Sequence, residues 1–337
     1  MELAELETRL VPFARAKYAD AAAEISAVHK MPGHAGFAYG FTVRSRARSE
    51  AWFLRLPPPG VQWQGTADVL RQVEILNALD GSAVPHCSVR WSGDDLTWFG
   101  RPYFVVPKLS GDVLRLGPGE WGAKLPPERL RDMAQQAMRA LAGVHRVDLR
   151  STPRLGAPIA AADDVVRWDR FLPKLAEPGR FALQPRVRDR LLATVPADAP
   201  AGVFHGDFQV GNLFYSLEGR LLAVIDWELV GVGATLNDVG WIATFNDPAA
   251  WAGRGRGPGP SESAFPGAEE LVAMYAEAWG AQLRGIGWYR ALAAYKFAII
   301  SGLNLGLHRR GKRPDPLWEV VAESIEPLLA RAAQLLG

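Results

Sequence analysis

The chain has 337 residues, of which 48% are hydrophobic and 22% are charged. This composition supplies enough apolar side chains for one large domain or two packed ones, and it excludes an intrinsically disordered chain. With 38 basic and 36 acidic residues the net charge is only +2. We therefore predict no nucleic acid or other polyanionic partner.

Three absences predict a soluble, cytoplasmic protein without a membrane partner. Cys87 is the only cysteine, which excludes a disulfide within the chain and is typical of a reducing compartment. The first residues lack the basic segment and apolar core of a signal peptide. No uncharged apolar run reaches the roughly 18 residues that a membrane-spanning helix needs.

The first 111 residues predict a small lobe that mixes helix and strand. Apolar residues at helical spacing predict helices at 1–30 and 66–79. Between and after them, β-prone runs that end at turns or prolines predict strands. The strands placed in this way are Tyr39–Val43, Ala51–Leu56, Ser88–Trp91 and Tyr103–Val106.

From residue 126 onward the pattern is mainly helical and predicts a larger lobe. A hairpin interrupts it at 203–226, and the Gly- and Pro-rich segment 252–262 predicts a mobile surface loop. Further helices are predicted at 267–283, 286–307 and 316–335. The fold class is therefore α+β, with a small β-rich lobe at 1–107 and a helical lobe at 108–337. A cleft between two such lobes is a usual place for a ligand.

The hairpin region carries residues suited to phosphoryl transfer. Asp207 follows a short apolar run, Asn212 stands five residues later, and Asp226 ends the second strand of the hairpin. Because a hairpin returns its second strand to the start of its first, the three side chains should converge. Asn212 and Asp226 offer oxygen ligands for Mg²⁺, which leaves Asp207 to accept the proton of a hydroxyl. A lone loop Asp is usually a turn former, but the combined order and spacing favour a site.

These residues also carry a family resemblance. The sequences Phe-His-Gly-Asp-Phe-Gln-Val-Gly-Asn-Leu at 204–213 and Val-Ile-Asp-Trp-Glu at 224–228 resemble segments of the aminoglycoside phosphotransferase family, which is related to choline kinases and protein kinases. The resemblance extends over most of the chain. It implies a bilobal protein-kinase-like fold, a catalytic base at Asp207, and Mg²⁺ ligands at Asn212 and Asp226.

The resemblance implies supporting roles around this centre. Asp238 would brace the catalytic loop, which is compatible with capping the helix that follows it. His205 is grouped with the catalytic residues, and its expected role is to hold the loop by hydrogen bonds; direct participation is the alternative. Glu228 either joins the metal site or lies behind it.

In the small lobe, the resemblance implies contacts with the nucleotide phosphates. Arg55 occupies the position of a phosphate-binding lysine, and its guanidinium can fork two phosphate oxygens; the alternative is a solvated strand residue. Gly40 belongs to the segment 36–42, which resembles a phosphate-covering turn. The partner of Arg55 should come from the helix at 66–79. It is Gln72 in the preferred register and Glu74 in a shifted one.

The connector at 105–111 resembles the hinge that binds a purine ring. Pro107 keeps a carbonyl that can accept from an exocyclic amine, and the N–H of Leu109 can donate to a ring nitrogen. This pattern favours ATP as the phosphate donor, with GTP as the alternative.

The acceptor is predicted from the region after residue 240. It holds 9 acidic and 10 basic residues, so it lacks the acid-rich pocket that a polycationic aminoglycoside needs. Basic clusters occur at 254–256 and 309–313. Aromatic side chains there suit stacking against a ring, with core packing as the default. These are Trp241, Trp251, Trp288 and Tyr289.

The predicted function is Mg²⁺-dependent transfer of a nucleotide γ-phosphate to a small hydroxylated acceptor. A sugar, a nucleoside-type antibiotic or a small alcohol fits, and antibiotic resistance or metabolite phosphorylation would be the context. The second hypothesis is a regulatory protein that binds nucleotide without transfer, which a retained base at Asp207 disfavours. A protein kinase is disfavoured because the segment between Asp226 and Asp238 is too short to support a peptide.

Overall fold

The computed structural model describes residues 2–31, 37–252 and 264–337. The strands among these residues are β1 (Glu24–Lys30), β2 (Ala38–Arg44), β3 (Ser49–Arg55), β4 (Trp91–Gly93), β5 (Tyr103–Pro107), β6 (Asp112–Val113), β7 (Ala201–Phe204), β8 (Leu213–Tyr215), β9 (Leu221–Val224) and β10 (Gly231–Ala234). The α-helices are α1 (Leu3–Tyr18), α2 (Val69–Leu79), α3 (Leu96–Phe99), α4 (Pro127–Val144), α5 (Ala161–Val166), α6 (Gln184–Ala193), α7 (Leu236–Phe245), α8 (Ala268–Trp279), α9 (Ile286–Arg309), α10 (Leu317–Val321) and α11 (Ile325–Leu336). No helix within the described ranges is long and apolar enough to cross a membrane.

The small lobe is built on a five-stranded antiparallel sheet in the order β1-β2-β3-β5-β4. The two faces of this sheet pack against different hydrophobic cores, as strand β5 illustrates. Successive side chains of a strand point to opposite faces of the sheet. Tyr103 and Val105 pack with α1, whereas Phe104 and Val106 join the core of the larger lobe. The sheet is therefore buried on both faces at its centre.

Helix α2 packs with the larger lobe rather than with α1. Its apolar face, which includes Val73, Ile75 and Leu76, belongs to the larger core. Arg71 adds a polar link, because its Nη2 donates to the carbonyl of Val230 at 2.9 Å. The division of the chain between residues 107 and 108 stays a prediction, since one core continues across it.

In the larger lobe, two small sheets carry the polar segments of interest. Strands β8 and β9 form the predicted hairpin, with Leu213 opposite Val224, and β6 joins them. Strand β10 pairs with β7 so that Gly231 lies opposite Phe204. The pairing of β10 with β7 was not predicted, because two of the four residues of β10 are glycines, which do not favour a strand. It places the residues that follow β7 beside those that precede β10.

The α+β, bilobal fold predicted from the sequence is confirmed, and three local predictions are wrong. The helix predicted at 1–30 ends at Tyr18, because Ala19 takes a left-handed conformation with φ 49°, and β1 follows. The strand predicted at Ser88–Trp91 instead covers Trp91–Gly93. The helix predicted at 316–335 is divided into α10 and α11 by a short 3-10 turn. Residues 253–262 of the predicted loop lie outside the described residues.

Candidate active site

Asp207 lies at the centre of the site, in the loop between β7 and β8. Its Oδ1 accepts a hydrogen bond from Trp241 Nε1 at 2.8 Å, and its Oδ2 accepts from Asn212 Nδ2 at 2.9 Å. The same Asn212 nitrogen donates to the Asp207 carbonyl at 2.9 Å. These donors fix the carboxylate, and because each oxygen accepts more than one hydrogen bond, both can still receive a hydroxyl.

The electrostatic surroundings make Asp207 a stronger base than an exposed aspartate. Burial raises the pKa of its carboxyl, and repulsion from the nearby Asp226 adds to that rise. Hydrogen bonds from Trp241 and Asn212 oppose the rise in pKa without cancelling it. A carboxylate with a raised pKa binds a proton more readily, as a general base requires.

His205 links the loop that carries Asp207 to the segment that carries Asp226. Its Nε2 lies 2.9 Å from the carbonyl of Ile225, and its Nδ1 accepts from the N–H of Asp207 at 3.2 Å. Since a carbonyl only accepts, this arrangement assigns the proton to Nε2 in a neutral ring. Both ring nitrogens are engaged by backbone groups. The geometry therefore suits a loop-holding role and offers no nitrogen to the substrate.

Asp238, at the start of α7, holds the loop from below. Its carboxylate is 1% exposed and accepts from the N–H groups of His205 and Gly206, at 2.6 and 2.8 Å. His145 Nε2 supplies a third contact at 3.1 Å. Burial raises the pKa of Asp238, but the hydrogen bond from His145 and the other donors outweigh it, so the pKa lies below its usual value. Asp238 thus remains charged.

Gly206 lets the loop pass close to the backbone of Leu229, three residues after Asp226. Its φ is +89°, which favours glycine, and a Cβ there would lie 2.3 Å from the carbonyl oxygen of Leu229. This close approach explains why a glycine stands between His205 and Asp207.

Asn212 and Asp226 are the residues that could hold a divalent cation. Asn212 uses its amide nitrogen on Asp207, which leaves its Oδ1 as the ligand atom. Asp226 is exposed in a left-handed conformation, φ 63° and ψ 62°, and follows Ile225, whose N–H donates to the Asn212 carbonyl at 3.0 Å. Within the described ranges no group of three His, Cys, Asp or Glu is arranged to bind a metal. An amide oxygen and a carboxylate are nonetheless donors that fit Mg²⁺, which commonly takes one or two protein oxygens and completes its shell with phosphate and water.

Arg55 pairs with Glu228, which corrects the expected pairing with Gln72 or Glu74. Its Nη2 lies 2.8 Å from Glu228 Oε2. Glu74 instead accepts from the backbone N–H of Arg154 at 3.0 Å, and Gln72 is buried. The physical reason is that α2 packs in the larger core, which turns Glu74 toward the segment after α4.

The pKa of the Glu228 carboxyl lies above its usual value at this position. Burial raises its pKa, as does the nearby Asp226, and these effects outweigh the pairing with Arg55. Asp207, Asp226 and Glu228 therefore repel one another across one small volume.

Gly40 lies within β2 rather than in a turn. A Cβ at this residue would lie 2.5 Å from Cε1 of His29, so the glycine makes room for that ring. The first part of the predicted phosphate-covering turn, including Gly36, lies outside the described residues.

The predicted hinge leaves two backbone groups available for a purine. The N–H of Lys108 donates to the Ala51 carbonyl, whereas the N–H of Leu109 makes no hydrogen bond to a described residue. The Val105 carbonyl accepts from Arg90, on the side away from β3. Because carbonyl directions repeat every second residue of a strand, the Pro107 carbonyl also points away from β3.

Most of the aromatic residues proposed for stacking pack in the core. Trp251, Trp288 and Tyr289 are at most 9% exposed. Trp241 is also buried, yet its indole N–H holds Asp207, a role that no local pattern in the sequence indicates. Among the basic clusters, Arg309 is paired with Glu177 and Glu319, and residues 254–256 lie outside the described residues.

Sequence reasoning missed a second polar group beside Trp241. Lys296 of α9 lies over the Trp241 ring, 5.8 Å from its centroid, and over the Trp168 ring at 5.6 Å. Its ammonium lies 3.4 Å from the carboxylate of Asp164. These residues come from α5, the segment after it, α7 and α9, so no spacing along the chain reveals them.

Comparison with known proteins gives a family and relatives. The model of the phosphotransferase enzyme family (APH) matches residues 36–292, more than half of the chain. "Acyl-CoA dehydrogenase family member 11" of Mus musculus is 27% identical over 301 residues, and that of Gallus gallus is 25% identical over 307. Both matches cover 85% of this chain and 38% of the relative, so the chain spans well under half the length of these curated relatives.

Solved structures show the same fold at low sequence identity. The "putative aminoglycoside phosphotransferase" of Ralstonia eutropha superposes with a TM-score of 0.78 at 20% identity, over 98% of this chain and 97% of that one. The GDP and kanamycin complex of APH(2")-IIia gives 0.63 at 15%, over 96% and 98%. The spectinomycin phosphotransferase complex with ADP and spectinomycin gives 0.61 at 12%, over 97% and 98%.

Proposed function

Because this chain belongs to the phosphotransferase enzyme family, we propose that it transfers the γ-phosphate of a nucleoside triphosphate to a hydroxyl group of a small molecule. One observation carries the proposal. The Asp207 carboxylate is partly buried, and hydrogen bonds from Trp241 and Asn212 fix its orientation. A protein that only binds nucleotide needs no oriented base.

In the proposed reaction, the acceptor hydroxyl oxygen attacks the γ-phosphorus. A bond forms between that oxygen and the phosphorus as the bond to the β–γ bridging oxygen breaks. The hydroxyl proton passes to Asp207, and the nucleoside diphosphate leaves with the bridging oxygen. Since phosphoryl transfer depends mainly on positioning and on neutralising charge, Asp207 acts chiefly by orienting the hydroxyl.

The phosphates would be held by the residues around Asp226. Asn212 and Asp226 would bind Mg²⁺, which supplies positive charge to the phosphates when present. Arg55 uses one nitrogen for Glu228, and a guanidinium has five N–H donors, so others remain for phosphate oxygens. We assign to Glu228 the positioning role that protein kinases give to a carboxylate on a small-lobe helix.

The donor and acceptor classes follow from weaker observations. The Pro107 carbonyl and the Leu109 N–H suit an adenine ring, and solved neighbours contain ADP or GDP. Both ATP and GTP therefore belong in the assay. The acceptor panel includes sugars and small alcohols, kanamycin and spectinomycin because of the solved neighbours, and hydroxylated acyl compounds because of the names of the curated relatives.

The test compares Asp207→Asn with the exposed-loop control Asp198→Asn. Mass spectrometry would follow the gain of one phosphoryl group on each acceptor, with Mg²⁺ and each nucleotide. We expect Asp207→Asn to lower transfer by at least about 100-fold, since it removes the proton acceptor, with nucleotide affinity nearly unchanged. Asp198→Asn should match the unmodified protein. Nucleotide binding without transfer to any acceptor, or full transfer by Asp207→Asn, would contradict the proposal.

A further inference from the structure

A β-bulge in β1 sets the direction of the His29 side chain. The pairing of β1 with β2 shifts register between Ser26 and His29, and Ala27 takes a left-handed conformation with φ 53°. A non-glycine residue rarely adopts this conformation, and bulges often re-aim a side chain next to a functional site. Beyond the bulge, His29 pairs with Gly40.

The imidazole of His29 lies on the face of the sheet that faces the larger lobe. Tyr39 and Phe41 pack with α1, so Gly40 between them faces the other way. A Cβ at Gly40 would lie 2.5 Å from Cε1 of His29, which places the ring on that same face. Phe53 pairs with Gly40 and packs against the larger core. The ring is therefore on the cleft side of the sheet.

Lys108 brings a second polar group to His29. Its N–H donates to the Ala51 carbonyl, which continues the pairing of β5 with β3 beyond Pro107. Its Nζ donates to His29 Nε2 at 3.3 Å. This distance is longer than the usual value of about 2.9–3.0 Å. Since His29 is half-buried and Lys108 is exposed, a ligand can reach both side chains.

The pair offers one acceptor and one donor. Nδ1 of His29 lies 2.7 Å from the Ala27 carbonyl, and a carbonyl only accepts. In a neutral ring the proton is therefore on Nδ1, which leaves Nε2 to accept. The Lys108 ammonium has further N–H donors. Two adjacent hydroxyls can donate to Nε2 and accept from Nζ, because each hydroxyl can do both. The pair therefore suits the ribose of a nucleotide.

The place of the pair fits the nucleotide of the proposed reaction. Arg55 lies on the same face of the sheet, because it stands two residues after Phe53. Ala51, beside Lys108, lies toward the opposite end of β3 from Arg55, roughly 13 Å away. Leu109, whose N–H suits the base, directly follows Lys108. With the base at Leu109 and the terminal phosphates at Arg55, the sugar that joins them would lie beside the pair.

We propose that His29 and Lys108 bind the ribose hydroxyls of the nucleotide, so that the protein selects ribonucleotides over deoxyribonucleotides. This inference rests on the proposed phosphotransfer and adds selection for the sugar of the phosphate donor. A site that hydrogen-bonds a hydroxyl discriminates against the analogue that lacks it, because the polar groups of the site then lose their partner.

The test compares nucleotides that differ by one hydroxyl. Calorimetry would give the Kd for ADP and GDP, and for the 2′-deoxy and 3′-deoxy form of each, with Mg²⁺. For at least one base, the unmodified protein should bind the ribonucleotide about tenfold more tightly than one of its deoxy forms, as expected for the loss of a hydrogen bond to a charged donor. Lys108→Met should remove most of this preference by weakening ribonucleotide binding alone. His29→Leu should reduce the preference by a few-fold.

Lys30→Met is the matched control. Lys30 is also exposed, but it pairs with Tyr39 and so lies on the face of the sheet that packs with α1. This variant loses the same charge and should keep the preference for ribose. A substitution that only loosens the small lobe would weaken ribonucleotides and deoxyribonucleotides alike. The ratio of the two affinities therefore separates sugar binding from a structural effect.

Because binding needs no transfer, this inference and the proposed function can fail separately. A ribose preference that falls in Lys108→Met or His29→Leu, without transfer to any acceptor, would contradict the proposed function alone. Equal affinity for both sugars in the unmodified protein, or a preference that survives in both folded variants, would overturn the inference alone. So would an equal loss of preference in Lys30→Met. Failure to bind any nucleotide would overturn both.

Discussion

The loop that carries Asp207 and the edge of the small lobe that carries Arg55 are held in different ways. Around Asp207, the side chains of Asp207, His205 and Asp238 each have two or more hydrogen-bond partners, which come from the segment 205–225, from α7 and from His145. Arg55, in contrast, has one ion pair, which crosses from β3 to Glu228 of the larger lobe. Redundant local contacts make the first region tolerant of small shifts between lobes. The second region depends on how the lobes pack.

The strongest test of this contrast is Asp238→Asn. The substitution removes a charged acceptor from the loop amides and from His145, so we expect transfer to fall by at least about 100-fold, as when a group that orients a catalytic residue is lost. Breaking a buried charged network should also lower the free energy of unfolding by about 3 kcal/mol. Steady-state kinetics and urea unfolding check both. A normal transfer rate and normal stability in Asp238→Asn would show that the loop does not depend on the charge of Asp238.

The same residue predicts how stability depends on pH. The pKa of Asp238 is lower in the folded protein than its ordinary value of 3.8. Its contribution is therefore complete above pH 3.8 and is lost as the pH falls through the folded pKa. The difference in unfolding free energy between the unmodified protein and Asp238→Asn should be constant near neutral pH and should narrow below 3.8. A difference that grows with acid would contradict the lowered pKa.

A smaller effect is expected at the cross-lobe pair. Arg55→Met should raise the KM for nucleotide about tenfold, because a phosphate-binding guanidinium is lost. Glu228→Gln should weaken the placement of Arg55 and raise the same KM less. In a double-mutant cycle on unfolding free energy the coupling should be at most about 1 kcal/mol, since Arg55 and Glu228 retain 14% and 33% side-chain exposure and solvent screens the pair. Zero coupling in both stability and KM would show that the pair is incidental.

The smallest effect is expected where a partner for Arg55 was predicted and not found. Glu74→Gln keeps an acceptor for the N–H of Arg154, and Gln72→Leu keeps the volume of a buried side chain. Each should change transfer less than about twofold and stability by about 1 kcal/mol or less. A large rise in nucleotide KM in either variant would show that a residue of α2 supports Arg55 after all.

The sequence predicted the site best where its parts lie close along the chain. The hairpin β8–β9 was recognised, and its geometry brings Asn212 and the residues before Asp226 together, as the Ile225–Asn212 hydrogen bond shows. The fold class and family were also predicted correctly. The metal and base assignments stay predictions until they are tested with ligand.

The features that the sequence did not predict depend on contacts between distant elements. Glu228 pairs with Arg55 because α2 is buried in the larger core, which no helical periodicity can indicate. The strand β1 was read as helix because apolar spacing in α1 was extended beyond Ala19, where the backbone turns left-handed. Lys296 and Trp168 meet only after α9 and the segment following α5 have packed.

The left-handed backbone at Asp226 limits how this position can vary among related proteins. Glycine, asparagine and aspartate are the residues that adopt this conformation most readily. Only two of these carry a side-chain oxygen, and only aspartate carries a full negative charge. Lineages that have given up phosphotransfer while keeping the fold should therefore show mainly asparagine or glycine here, which would make this one codon a marker of lost activity.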